Sequence, residues 1–140
     1  MRFHREEGAQ SLVEFALVLP IMLLIITGVF DVTRAVWQEN ALAYSAREGT
    51  RFAIVHGSGS TLPLGPSDPA EANISNVVTS AAVGVYNITV ATAWPMGNNN
   101  RGSTVSVDAS APFVPLPSQY MLGGAFQITL KGGSMLVIQQ

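Results

Sequence analysis

Residues 15–30, FALVLPIMLLIITGVF, form an uncharged and almost wholly apolar run, with Glu14 at its N-terminal border and Asp31 just beyond it. Extended back to Leu12, it makes a helix about 28 Å long at about 1.5 Å per residue, close to the ~30 Å hydrocarbon thickness of a bilayer. It can span a membrane once, and it is too apolar to be spared for the surface of a small soluble domain. A carboxylate costs about 2.5–3.5 kcal/mol at the bilayer centre, so one at the border of such a run has a partner or a task. Pro20 and Gly28 are the soft points of the run. Pro20 is predicted to kink the helix, because proline removes a backbone donor and crowds the preceding turn.

The flanks give direction. Residues 1–9 carry Arg2 and Arg5, and since Glu6 and Glu7 count little in the positive-inside bias, the N-terminus is expected in the cytoplasm. The chain beyond residue 30 then faces outward from a single-pass position in the cytoplasmic (inner) membrane. A secretory signal would end in small residues soon after the run, but Asp-Val-Thr-Arg follows, so cleavage by an ordinary signal peptidase is not expected.

Past Phe30 the run gives way to a mixed pattern. Asp31 and Arg34 are i,i+3 neighbours, a spacing that usually gives a solvated pair worth a few tenths of a kcal/mol, roughly 0.2–0.5. Val36, Trp37, Leu42, Tyr44, Phe52 and Ile54 are dispersed among Gln38, Glu39, Asn40, Arg47, Glu48 and Arg51, which predicts an amphipathic extension of the same helix over 31–56. Trp37 suits either an interfacial anchor or a core position. Helix formers without another strong breaker predict one helix from Ser11 to about His56, stopped by the Gly-Ser-Gly-Ser that follows.

Residues 57–140 read as a small α+β domain. Ser67-Asp68-Pro69 is a helix start, and Ala72, Ile74, Val77, Val78, Ala81 and Ala82 give one apolar face up to Gly84. Alternation over 85–94, with Tyr86, Ile88, Val90 and Trp94 on one side, predicts a strand. The turn residues 98–102 and the alternation over 104–108 complete a hairpin. Residues 112–117 carry three prolines and are expected as loop or edge, while 126–130 and 135–138 flank Gly132-Gly133 as a second hairpin. The expected whole is a long, kinked N-terminal helix followed by a small antiparallel sheet with one short helix.

Several function classes fall away. The net charge of −2 and 11% charged residues leave no basic stripe for nucleic acid. With no cysteine there is no thiolate metal site, thiol nucleophile or disulfide. His4 and His56 are the only histidines and lack the i,i+3 or i,i+4 companions of a zinc site. Ser58 and Ser60 sit in a linker-like Gly/Ser stretch beside His56, not in a nucleophile turn. Gly123-Gly124 and Gly132-Gly133 lack the following helix or Lys-Ser/Thr of a phosphate cradle. No enzymatic activity, metal or cofactor is expected. Asn73 and Asn87 match glycosylation acceptors, which matters only in a host that modifies them.

Read in order, Gly8-Ala9-Gln10-Ser11-Leu12-Val13-Glu14-Phe15, the apolar run with Leu19-Pro20, then Asp31, Arg34, Asn40 and Ala46-Arg47-Glu48-Gly49-Thr50-Arg51 resemble the TadE-like family. Members of that family are minor pilins or pseudopilins of tight-adherence pilus systems with prepilin-type N-termini. The resemblance covers residues 8–55 and implies a pilin-like fold and cytoplasmic cleavage of the leader 1–9 by a prepilin peptidase. It also implies packing of the transmembrane segment 10–30 into a pilus or its inner-membrane assembly platform, beside other pilin subunits. Gly8, Ala9 and Gln10 are then the processing site. The family's glycine precedes four residues and then Glu-Phe, whereas Gly8 precedes five, so the cut falls after Ala9 or after Gly8. Glu14, followed by Phe15, is the family's register glutamate, which a neighbour's new α-amino group neutralises in a bundle of parallel helices. Ser11-Leu12-Val13-Glu14 also reads as a capping box. Asp31, Arg34, Asn40, Arg47, Glu48 and Arg51 are interface candidates, and the resemblance suggests that the segment around Arg47 faces the sheet or a neighbour. Two other functions fit the same parts: a major, filament-forming pilin, and an uncleaved bitopic binding module whose outer sheet holds a ligand.

Overall fold

A computed structural model describes residues 3–66 and 71–139, with side chains from Gly8 onward except that of Glu71. Arg2 and the expected helix start at Ser67-Asp68-Pro69 lie outside the described residues, as do the side chains of His4, Arg5, Glu6 and Glu7. One helix, α1, runs Phe3–Ile54 with Pro20 inside it. It begins well before Ser11, which corrects the capping-box reading. Ser11 lies in the helix interior and its hydroxyl donates back to the Gly8 carbonyl at 3.1 Å, so it caps nothing. The C-terminal end falls where the glycines dictate, and a turn follows in which the His56 N–H donates to the Ala53 carbonyl at 3.1 Å.

Helix α2, Glu71–Ala81, turns Ile74 and Val78 into the core, and Ala82 just past its end is buried with them. Strands β1, Thr89–Ala93, β2, Thr104–Phe113, and β3, Ile128–Val137, make one antiparallel sheet in the order β1-β2-β3. Its register is set by Thr89↔Ser110 on one side of β2, and by Thr104↔Val137 and Phe113↔Ile128 on the other. Between β2 and β3 sits a short helix, α3, Leu116–Met121.

The α+β architecture expected from the sequence is present, with four local differences. β1 is shorter than the alternation suggested: Asn87 takes a positive φ of 55°, which breaks the strand before Thr89 and leaves Tyr86 exposed. β2 runs through Pro112, because β1 ends opposite Ser110 and proline there has a single neighbouring strand. The expected second hairpin is one continuous strand, β3, that passes straight through Gly132-Gly133. Helix α3, inside the proline-rich stretch, was not foreseen.

The described chain divides into two compact units. One contains the chain up to Arg34 together with Val114–Gln127, and the other Ala35–Phe113 with Ile128–Gln140. In the second, alternate β2 residues Val105, Val107, Ala109 and Ala111 face Leu42, Ala46 and Ala53 of α1 and the buried face of α2. Small residues govern this contact. A Cβ on Gly132 would collide with the α1 backbone at Leu42 and Ala43, and one on Gly49 would strike the Val78 side chain. Gly132 thus serves close helix-on-sheet packing while Gly133 lies against the Asp108 side chain of β2, and neither makes a turn, the reason the hairpin expectation failed.

Candidate assembly and anchoring surface

The apolar run lies uncovered along most of its length. Leu12, Phe15, Leu17, Val18, Ile21, Ile25, Val29 and Phe30 each expose between 58% and 70% of their surface, far beyond the scattered apolar residues of an ordinary soluble surface. Thr27, its one polar side chain, donates its hydroxyl to the carbonyls of Leu23 and Leu24 at 2.9 and 3.1 Å, so the hydroxyl needs no water. The helix is long and apolar enough to cross a membrane. Glu14 is exposed at the N-terminal border of this surface, where its Oε1 accepts a hydrogen bond from Gln10 Nε2 at 3.2 Å. Gly8, Ala9 and Gln10 are exposed on the same helix, and Phe15 follows Glu14 with 60% exposure.

At the other end of the run, Asp31 departs from the solvated-pair expectation. Its residue is 7% exposed, its Oδ1 lies 2.9 Å from Arg34 Nη1, and its Oδ2 accepts the backbone N–H of Leu116 at 2.8 Å. Leu116 opens α3, and the N-cap residue Pro115 has no side-chain oxygen to offer. Asp31 therefore supplies in trans the acceptor that an N-cap usually provides. Sequence spacing could find the Asp31–Arg34 pair, but not an acceptor role for a helix 85 residues away.

The remaining candidates separate by face. In Ala46-Arg47-Glu48-Gly49-Thr50-Arg51, the residues Ala46, Gly49 and Thr50 are buried against the sheet. Thr50 Oγ1 donates to the Ala46 carbonyl at 2.7 Å and reaches the Ser134 carbonyl at 3.4 Å. Arg47 and Arg51 are exposed, and Arg51 Nη1 lies 3.2 Å from Glu48 Oε1, a surface pair worth about 0–1 kcal/mol. Asn40 is exposed. The small residues of this segment thus meet the sheet, while its charged residues face away. Trp37, half-exposed, lies over Gly84, whose φ is +77° and where an added Cβ would come within 2.7 Å of the indole ring.

Among the described residues no group of three His, Cys, Asp or Glu side chains could hold a metal ion. His56 stacks near Phe52, with ring centroids 4.2 Å apart, and its Nδ1 is 2.7 Å from the Phe52 carbonyl, so it finishes the helix end.

No curated protein and no solved structure matches this chain. The sequence profile of the family described as TadE-like protein matches residues 9–51. That span takes in Glu14, the whole apolar run, the Asp31–Arg34 pair and the small-residue seam at Ala46 and Gly49. The match covers less than half of the chain, so it is the N-terminal helix that is similar to TadE-like proteins.

Proposed function

We propose that this protein is a minor pilin or pseudopilin, a structural subunit processed by a prepilin peptidase and packed through α1 into a tight-adherence-type pilus or its assembly complex. The observation that carries the proposal is the bare apolar surface of residues 12–30, with Glu14 exposed at its border, on the helix that matches the TadE-like family. Before assembly lipid covers that surface from a single-pass position with the N-terminus inside; after assembly neighbouring helices cover it. The partners are other pilin subunits, the peptidase and an inner-membrane assembly platform. Cleavage after Gly8 or Ala9 leaves an α-amino group within one or two turns of Glu14. In a parallel bundle, the amine of one subunit then neutralises the carboxylate of the next and sets axial register, because an unpaired charge in low dielectric is costly.

Replacing Glu14 with alanine tests this. Since the Glu14 side chain touches only Gln10 among the contacts above, the variant is expected to insert and fold as before but to be depleted several-fold from sheared pili or purified assembly complexes. Normal incorporation would remove the register role.

A further inference from the structure

From Ala109 to Leu130 the sequence holds no charged residue, and Asp108 and Lys131 close the stretch on either side. Its middle, residues 114–127, leaves the sheet and forms a unit with the apolar part of α1. Leu116, Pro117, Tyr120 and Met121 line an apolar groove of about 340 Å³ together with Pro20, Leu23, Leu24 and Thr27. The outward side of this excursion is apolar too. Tyr120, Met121, Leu122 and Phe126 are 79%, 72%, 64% and 58% exposed.

The groove fixes a depth. Thr27 lies three residues and Pro20 ten residues before Phe30, or roughly 5 and 15 Å along the helix from the end of the apolar run. Any bilayer that covers residues 12–30 also reaches whatever is packed on Leu23, Leu24 and Thr27. A loop can enter hydrocarbon only if its backbone polar groups find partners within the protein, and here many of them do. The N–H groups of Gln119, Leu122, Gly124 and Ala125 donate to carbonyls within the excursion, at 2.8–3.1 Å. Ser118, buried, is its hub: its Oγ donates to the Phe126 carbonyl at 2.8 Å and accepts the Phe126 N–H at 2.9 Å. Pro115 and Pro117 have no N–H to satisfy, and Asp31 takes that of Leu116.

We infer that residues 114–127 are a second membrane element, an internally hydrogen-bonded loop that dips into the acyl chains of the leaflet at the Phe30 end of the span and is held there by Asp31. Its occupant surface is lipid. Tyr120, with an apolar ring and a polar tip, suits the boundary region such a loop crosses. This rests on the reading of residues 12–30 as a membrane span.

The chain has no native cysteine, so single-cysteine variants of the full protein can each carry one environment-sensitive NBD fluorophore. Met121→Cys, Ile25→Cys and Ser58→Cys are labelled and reconstituted into phosphatidylcholine/phosphatidylglycerol vesicles with and without acyl-chain doxyl quenchers. Ile25 reports the span and Ser58, in the Gly/Ser stretch, reports water. The inference expects Met121 to show at least about half the quenching of Ile25 and several-fold more than Ser58, as burial among acyl chains requires. Quenching at Ile25 with Met121 like Ser58 overturns the inference and leaves the span intact. No quenching at Ile25 overturns the span and the inference with it. A blue-shifted Met121 label that lipid-borne quenchers do not reach, and whose shift grows with protein density, overturns the inference in favour of cover by another copy of the chain.

Discussion

The two halves of α1 have opposite chemistry for a common reason. Before Asp31 the helix shows large aliphatic and aromatic side chains to its surroundings, and almost none is covered by its own chain. After Arg34 the covered residues are mostly small, Ser45, Ala46, Gly49, Thr50 and Ala53 beside the single large Leu42, while Val36, Trp37 and Tyr44 remain at least half exposed. Size therefore does not mark the inside of this protein. Where the sheet lies on the helix, close approach selects glycine, alanine, serine and threonine. Where nothing of the chain covers it, bulk apolar residues signal a solvent other than water.

The contrast can be broken by moving one charge between halves. Ile21→Lys, near the middle of the run, is expected to cost about 2.5–3.5 kcal/mol of membrane insertion, read as a shift from the membrane to the soluble or aggregated fraction. Val36→Lys, equally apolar in origin but beyond the run, is expected within about 0.5 kcal/mol of the parent, as for most surface substitutions. Equal losses at both positions would mean that the two halves share one environment.

The small-residue half has its own weak point. Gly132→Val places a branched side chain against the α1 backbone, and overpacking of this kind costs about 1–3 kcal/mol. A fall in Tm is expected without loss of membrane partition, since the span is untouched. The converse change, Gly28→Val in the bare half, meets nothing within 4 Å and is expected to leave Tm nearly unchanged.

How far the sequence revealed this structure follows the same division. The run and the single long helix with its stop before Gly57 were legible because hydropathy and helix propensity act locally. The α2 face was legible in Ile74 and Val78 for the same reason. Gly132-Gly133 misled because a glycine required by a neighbouring element looks like a glycine required by a turn. Pro112 misled because whether a strand tolerates proline depends on where its neighbour ends. Of this surface, the apolar run was readable, whereas the acceptor role of Asp31 depends on a contact far along the chain.

That contact gives a smaller and more local effect. Asp31→Ala removes a carboxylate that accepts two hydrogen bonds and leaves the Leu116 N–H without its acceptor, about 1–3 kcal/mol if the environment stays dry. Hydrogen exchange is expected to accelerate in residues 116–126 and to remain slow in β2. Uniform acceleration would assign Asp31 to global stability instead.

The most direct test of the processed-subunit account is the N-terminal residue of the mature protein, determined by mass spectrometry on chains recovered from the native envelope. The account predicts a start at Ala9 or Gln10, which places a new α-amino group on the same helix as Glu14. A start at Met1 would contradict it and leave an uncleaved anchor whose glutamate has no amine to meet.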